Sequence, residues 1–307
     1  MRLLVVGAGA TGGYFGGRLA QAGRDVTFLV RPGRARELQA NGLQIVSPHG
    51  DLTLKPKLVT ADALREHFDA VLVTVKAFSL EPALDDLAPA VGPATMIVPV
   101  LNGMRHVDAI KARFGAQALV GGVCKVATTL DGEGRILQLA KFQELAYGEM
   151  SGAASERTRA LDAFMQGAGF DARLTARIEL EMWEKWVLLA ALGGITCLMR
   201  GNIGEIEAAP GGVDFALRLL DEVIAVVRAS GQEPGAEFLA GTRMSVTAKG
   251  SPTAPSMYRD LQKGLRIEAD QIVGDMLARA KTLAVPTPLL SAAYASLSIY
   301  QSRVAKS

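Results

Sequence analysis

The chain has 307 residues, 49% of them hydrophobic, and a formal net charge of +2. This length predicts two domains with sizeable cores, and so small a charge gives no electrostatic reason to expect nucleic acid or an anionic membrane as a partner. Two distant cysteines and three histidines without metal-ligand spacing argue against a disulfide scaffold or a metal site.

The first thirty-odd residues combine a strand, a glycine-rich turn, a helix and a second strand. Residues 2–6 are an apolar run typical of a buried parallel strand. A glycine-rich hexapeptide follows, Gly7-Ala8-Gly9-Ala10-Thr11-Gly12. Then come an amphipathic stretch over 14–21 and an apolar run over 26–30. This order predicts a dinucleotide-binding unit: the first glycine permits the tight turn, the second lets backbone approach a pyrophosphate, and the third allows close helix–strand packing. The exposed N–H groups and the positive helix end would hold the phosphates.

The end of the second strand indicates which dinucleotide binds. NAD-binding proteins place an acid about twenty residues beyond the glycines, where it bonds the ribose hydroxyl. This chain instead has Arg31 there, with Arg34 and Arg36 just beyond, while Asp25 precedes the strand. Arginine suits a 2′-phosphate by charge and bidentate geometry, so the predicted cofactor is NADP(H). The alternative is a solvated basic loop.

The rest of the chain falls into two patterns. Up to residue 175, strands alternate with helices. Strands are predicted over 69–75, 95–100, 118–121, 135–139, 144–148 and 171–174, helices near 33–41, 79–90, 107–114 and 154–168, and a hairpin over 43–54. Beyond 175, only long helices are predicted, over 178–199, 212–230, 235–248, 256–283 and 288–304. The expected fold class is therefore α/β, with a doubly wound Rossmann domain over 1–175 followed by an all-helical domain over 176–307.

Two polar residues stand where ligands bind in open parallel sheets, beyond the carboxyl ends of strands. Lys76 and Asn102 end two neighbouring predicted strands. The Asn102 amide can bond a carbonyl or the nicotinamide ribose. Ordinary turn chemistry is the alternative, because Asn-Gly is a strong turn signal. Lys76 can equally be an exposed surface lysine.

Two charges interrupt apolar stripes in the predicted helical domain. Lys185 lies on such a stripe of helix 178–199, and Glu268 lies in the middle of one on helix 256–283. A charge entering a buried face needs a partner or a function, and the two are natural opposites. An ion pair with Glu181 at i−4 is the alternative for Lys185.

Together these segments resemble the ketopantoate reductases, which are NADPH-dependent 2-dehydropantoate 2-reductases. The matching segments keep the family's order and spacing over nearly the whole chain. They are Gly7–Gly12, Val75-Lys76-Ala77, Leu101-Asn102-Gly103-Met104, Trp183-Glu184-Lys185 and Ser256-Met257 through Asp260 to Glu268. The resemblance implies a Rossmann domain and a helical domain, with the substrate in the cleft between them.

The resemblance also implies a role for each matching site residue. Lys185 would be the general acid and Glu268 would assist it. Asn102 and Lys76 would lie beside cofactor and substrate, and Ser256 would touch the substrate carboxylate. From the sequence alone, capping of the helix that starts after Pro255 is an equally good role for Ser256.

The chain departs from the family at three positions. Leu189, Gly193 and Thr253 stand where the family's best-known members have asparagines that contact substrate, and Asn202 is expected to substitute in part for a further family asparagine near Thr253. A less polar pocket is therefore expected. This keeps the reaction type and weakens the case for ketopantoate, because specificity for a hydroxyl depends on polar groups that bond it.

The predicted function is the NADPH-dependent reduction of a 2-keto acid, with 2-dehydropantoate as the leading substrate and pantothenate biosynthesis as the pathway. A relative acting on another 2-keto acid, a 3-hydroxy acid dehydrogenase and a non-catalytic NADP-sensing protein stay open. The expected partner is a small 2-keto acid, with a homodimer as one expected assembly. The N-terminal strand without a leader predicts a cytoplasmic protein, and the apolar run 186–197 is too short to span a bilayer.

Overall fold

The computed structural model describes residues 1–306 and has the expected α/β class. The chain forms two compact units. The first holds Met1–Leu101 and His106–Glu179, and the second holds Asn102–Arg105 and the described chain from Leu180 onward. The short segment Asn102–Arg105 therefore belongs to the second unit, although the chain on both sides of it belongs to the first.

The first unit contains ten strands and five α-helices among its described residues. In chain order they are β1 (Arg2–Val6), α1 (Ala10–Gln21), β2 (Asp25–Leu29), α2 (Pro32–Asn41), β3 (Leu43–Val46), β4 (Leu52–Leu54), β5 (Lys57–Val59), β6 (Ala70–Val73), α3 (Leu80–Leu87), β7 (Met96–Pro99), α4 (Arg105–Phe114, whose first residue belongs to the second unit), β8 (Gly121–Leu130), β9 (Ile136–Gly148), α5 (Glu156–Met165) and β10 (Asp171–Leu174). Five of the strands form a parallel sheet in the order β5–β2–β1–β6–β7. Its central strands are buried on both faces, as in doubly wound sheets.

A second sheet, which was not predicted, adjoins the parallel sheet in the first unit. It has the order β10–β9–β3–β4, with β8 pairing antiparallel to β9. The strands predicted over 135–139 and 144–148 are one long strand, β9. The strand predicted over 118–121 begins too early in the chain. A 3-10 turn covers Ala116–Ala118, and β8 starts only at Gly121. Half-exposed polar positions break the apolar pattern of β8 and of the middle of β9, so the sequence shows only the two ends of β9.

The second unit is helical throughout its described part. Its elements are α6 (Ile178–Met199, whose first two residues belong to the first unit), α7 (Ile203–Ala208), α8 (Gly212–Ala229), α9 (Ala236–Val246), α10 (Ser256–Gln262), a π-helical turn (Asp270–Gly274), α11 (Asp275–Thr282) and α12 (Pro288–Val304). Helix α7 was not predicted, because six residues are too few to show a period.

The helix predicted over 256–283 is interrupted, and the prediction that Glu268 lies in the middle of a helix is wrong. Helix α10 ends at Gln262, and Gly264 follows with φ +70°. The Leu265 N–H bonds the Asp260 carbonyl at 2.9 Å, and the Gly264 N–H bonds the Leu261 carbonyl at 3.1 Å. This pair of bonds is a Schellman motif, which ends a helix at a left-handed glycine. Glu268 therefore lies in the irregular link before the π-helical turn and not in mid-helix.

Helix α6 is long and apolar enough to cross a membrane by length and composition alone. Within the protein, however, 67% of its most apolar stretch is buried. Trp186, Val187, Ala190 and Ile195 have no exposed surface. Burial in the protein core accounts for the apolar composition of this helix.

Candidate functional site

The glycine turn after β1 is shaped by contacts that exclude side chains. Gly7 has φ +95°, a backbone conformation that favours glycine. The Thr74 hydroxyl, just beyond β6, donates to the carbonyls of Val6 at 2.8 Å and Gly7 at 3.0 Å. A Cβ atom at Gly12 would collide with the Gly7 carbonyl and the Thr74 hydroxyl. Gly7 and Gly12 thus allow β1, β6 and α1 to meet without intervening side chains.

The approach to α1 is open. A Cβ atom at Gly9 would meet no other atom within 4 Å. Gly9 is also the N-cap of α1, and no side chain caps that helix end. The N–H groups of the first turn therefore face a space that a ligand can enter, and a helix N-terminus attracts anions. Residues Gly7, Ala8, Gly9, Ala10, Thr11 and Gly12 thus fit a pyrophosphate, although their cofactor contacts stay a prediction.

The two nearest arginines have different surroundings. All three nitrogens of Arg34 are engaged: Nε donates to the Ala8 carbonyl at 3.1 Å, Nη2 donates to the Gly134 carbonyl at 3.1 Å, and Nη1 pairs with Glu37 at 2.6 Å. The Arg31 side chain is exposed and makes no hydrogen bond or ion pair with any residue in 1–306. Arg31, like the exposed Arg36, therefore has a side chain available to a ligand, and a contact between Arg31 and a 2′-phosphate stays a prediction.

Arg34 has a structural role that sequence reasoning missed. It joins the glycine turn to the tip of the β8–β9 hairpin, because its side chain binds Ala8 on one side and Gly134 on the other. Gly134, with φ +76°, allows this approach, since a Cβ atom there would collide with the Glu37 carboxylate. Nothing in the sequence signals the contact, because residues 34 and 134 are far apart in the chain.

The second unit brings Asn102 and Glu268 together. Asn102 Nδ2 donates to Glu268 Oε2 over a long 3.4 Å, and the Asn102 carbonyl accepts from Gln271 Nε2 at 3.0 Å. Gly103 has φ +80°, and a Cβ atom there would lie 2.7 Å from the Gln271 carbonyl. Gln271, which is 4% exposed, was not predicted as a site residue. It holds the Asn102-Gly103 turn against the link that carries Glu268.

The π-helical turn ties this link to α6. The buried Trp186 indole N–H donates to the Ile272 carbonyl at 2.8 Å, and the Ile272 N–H bonds the Glu268 carbonyl at 3.0 Å. Lys185, half-buried on α6, immediately precedes this tryptophan. π-Helical turns leave backbone groups free for such bonds and are frequent at functional sites. A direct pairing of Lys185 with Glu268 stays a prediction.

The other predicted residues have different local surroundings. Lys76 is exposed in the loop after β6. Ser256 is exposed as the first residue of α10, and its predicted capping role is wrong, because Pro255 is the N-cap and no side chain caps that end. Asn202 caps α7 in a capping box, in which its side chain accepts from the Glu205 N–H at 2.9 Å. Substrate contacts by Ser256 and Asn202 stay predictions.

Leu189, Gly193 and Thr253 stand at the three positions where the resemblance leads us to expect asparagines. Leu189 is half-buried on α6. A Cβ atom at Gly193 would collide with the Met257 methyl group, so Met257 fills the space that a side chain at 193 would need. The Thr253 hydroxyl accepts from Ser251 at 2.8 Å. Within residues 1–306, no group of three or more His, Cys, Asp or Glu side chains could hold a metal ion.

Comparison with known proteins gives consistent matches along the chain. The model of the family described as Ketopantoate reductase PanE/ApbA matches residues 3–152, and that described as Ketopantoate reductase PanE/ApbA C terminal matches residues 177–301. An uncharacterized oxidoreductase, YkpB of Bacillus subtilis, is 36% identical over 98% of this chain and 99% of its own. A 2-dehydropantoate 2-reductase of Mesorhizobium japonicum is 30% identical over 96% of both chains. The crystal structure of 2-dehydropantoate 2-reductase from Methylococcus capsulatus has a TM-score of 0.87 at 28% identity, covering 100% of this chain and 99% of its own.

Proposed function

Because the chain belongs to the ketopantoate reductase family, a family of oxidoreductases, we propose that it reduces a 2-keto acid to the 2-hydroxy acid with NADPH. The observation that carries this proposal is the contact between Asn102 and Glu268 next to the π-helical turn. It brings an amide and a carboxylate together, and Gln271 of the same turn holds the Asn102 backbone. 2-Dehydropantoate is the leading substrate, since a curated relative of that name is 30% identical over almost the full length.

The cofactor assignment rests on the first unit. The open turn at Gly9 and the uncapped start of α1 suit the pyrophosphate, and the exposed Arg31 suits a 2′-phosphate. We assign residues 1–175 to NADP binding and 176–307 to substrate binding and catalysis. When bound, the reduced nicotinamide supplies a hydride to the ketone carbon.

The catalytic assignment rests on the second unit. Lys185 donates a proton to the developing alkoxide and stabilises its charge, with Glu268 assisting. Asn102 and Ser256 orient the substrate, and Lys76 and Asn102 lie beside the cofactor. Gln271 positions Asn102 by holding its carbonyl.

The test is an NADPH-oxidation screen over a panel of 2-keto acids that includes 2-dehydropantoate. Wild type should oxidise NADPH with at least one of them, and Lys185→Ala should do so at least about 100-fold more slowly. Tight NADPH binding without oxidation by any 2-keto acid would favour the alternative of a non-catalytic NADP-sensing protein. If the protein oxidises a 3-hydroxy acid with NADP and reduces none of the 2-keto acids, the result would favour the alternative of a 3-hydroxy acid dehydrogenase.

Three further assignments accompany this function. We propose pantothenate biosynthesis as the pathway if 2-dehydropantoate is the substrate, a cytoplasmic location and a homodimeric assembly. Cell fractionation and light scattering of the purified protein test the last two.

A further inference from the structure

The accessible face of α6 becomes apolar directly after Lys185. The helix residues with partial exposure near this position are Glu181, Glu184, Lys185, Leu188 and Leu189, and every residue from Ala190 to Cys197 is buried. Leu189 lies one turn beyond Lys185, so the two side chains lie on the same face of the helix. A substrate whose ketone meets Lys185 therefore meets a leucine next along this face.

The following turn is buried and offers no polar side chain. Gly193 lies one turn beyond Leu189, and its face is filled by the Met257 methyl group. Met257 is 3% exposed and follows Ser256 at the start of α10. The thioether side chain, rather than a polar group, therefore occupies the position that a longer residue at 193 would take.

The polar side chains that follow Lys185 on α6 bond within the protein. The Trp186 indole donates to the Ile272 carbonyl, and the buried Thr196 hydroxyl donates to the Leu192 carbonyl at 2.6 Å. Cys197 is fully buried. None of these groups is exposed to bond a substrate hydroxyl.

We propose that this enzyme acts on 2-keto acids with an apolar side chain and does not select for a hydroxyl there, so that 2-dehydropantoate, the leading substrate by family, is not preferred over an analogue without its hydroxyl. The inference rests on the proposed function, because it takes Lys185 as the group at the ketone. A hydroxyl placed against Leu189 would lose its hydrogen bonds to water without replacement from α6, whereas a methyl group would be buried favourably.

Two substrates that differ by a single oxygen test this directly. 2-Dehydropantoate and 3,3-dimethyl-2-oxobutanoate share the keto acid and the branched carbon, and only the former carries the terminal hydroxyl. With wild type and NADPH, kcat/KM should be about tenfold higher for 3,3-dimethyl-2-oxobutanoate, the ratio expected for an unbonded buried hydroxyl. A higher kcat/KM for 2-dehydropantoate would overturn the inference and leave the reductase function standing. No oxidation with these or any other 2-keto acid would refute the proposed function and this inference with it.

A matched pair of variants assigns the effect to the α6 face. Leu189→Asn should shift the kcat/KM ratio about tenfold toward 2-dehydropantoate, because it supplies the missing hydrogen-bond partner. Leu198→Asn makes the same change at another half-buried leucine of α6, thirteen residues from Lys185, and should leave the ratio unchanged. Equal shifts in both variants, or none in Leu189→Asn, would overturn the assignment. If Leu189→Asn does not fold, the wild-type ratio for the two substrates still decides.

Discussion

Replacing Arg31 with alanine should remove most of the preference for NADPH over NADH. The Arg31 guanidinium is exposed and makes no bond to any described residue, so the fold loses nothing with it. A hydrogen bond to a charged group contributes about 1.5–3 kcal/mol, and exposure places this one at the lower end. The expected loss in NADPH affinity is therefore about tenfold, since 1.4 kcal/mol corresponds to tenfold. NADH, which has no 2′-phosphate, should bind as before.

Arg34→Ala is the control that separates charge from structure. Because Arg34 holds the Ala8 carbonyl and the hairpin tip at Gly134, its loss should weaken NADPH and NADH by similar factors and lower the melting temperature. Fluorescence titration of both nucleotides against wild type and both variants measures the ratios. Equal affinities in wild type would refute the reasoning. So would a preference that survives Arg31→Ala and disappears in Arg34→Ala.

Three further predictions concern the second unit and the stability of the first. Lys185→Ala should keep its melting temperature and NADPH affinity but lose about 100-fold or more in kcat, the scale of a lost proton donor. Gly103→Ala should lower stability by about 1–3 kcal/mol in a thermal melt, because the new Cβ atom would lie 2.7 Å from the Gln271 carbonyl at a backbone φ of +80°. The Arg157 guanidinium bonds both oxygens of Glu149 and holds the pKa of that carboxyl below its usual range. Wild type should therefore lose stability as pH falls through the lowered pKa. In acid titrations of the melting temperature, Glu149→Gln should show a smaller loss.

The sign of the acid effect follows from the direction of the shift. A carboxyl whose pKa is lower in the folded state stabilises the fold above its unfolded pKa, and protonation removes that contribution. Identical acid profiles for wild type and Glu149→Gln would contradict the assignment. For Lys185→Ala, early melting with unchanged turnover would make Lys185 structural and move the search for the acid to Lys76. An unchanged melting temperature for Gly103→Ala would show that the turn relaxes without cost.

Local sequence patterns predicted much of the fold. The apolar run of β1, the glycine turn and the helix period of α6 and α8 each lie within a short stretch, so one window shows them. The break after α10 also had a local signal in Gly264. This signal was overlooked because the apolar residues before and after Gly264, such as Leu261, Leu265 and Ile272, keep a helical spacing in the sequence.

Long-range contacts could not be predicted from such windows. The membership of β3 and β4 in the same sheet as β9 depends on a pairing between strands distant in the chain, Ile45 with Ile136. In the candidate site, Asn102 was predicted from its position after a strand end and Glu268 from its interruption of an apolar stripe, and their roles stay predictions. The residues that hold them, Gln271 and Trp186, resemble ordinary helix residues until the fold places them.

The route of the chain through Asn102–Arg105 limits how this protein can be recombined. Three peptide links join the two compact units, at Leu101–Asn102, Arg105–His106 and Glu179–Leu180. A fragment cut at Glu179 would carry the Asn102-Gly103 turn without Gln271, and the complementary fragment would carry Gln271 without its turn. A chimera that exchanges the nucleotide-binding part for that of a relative therefore needs three junctions rather than one, with Asn102–Arg105 kept from the parent that supplies the helices.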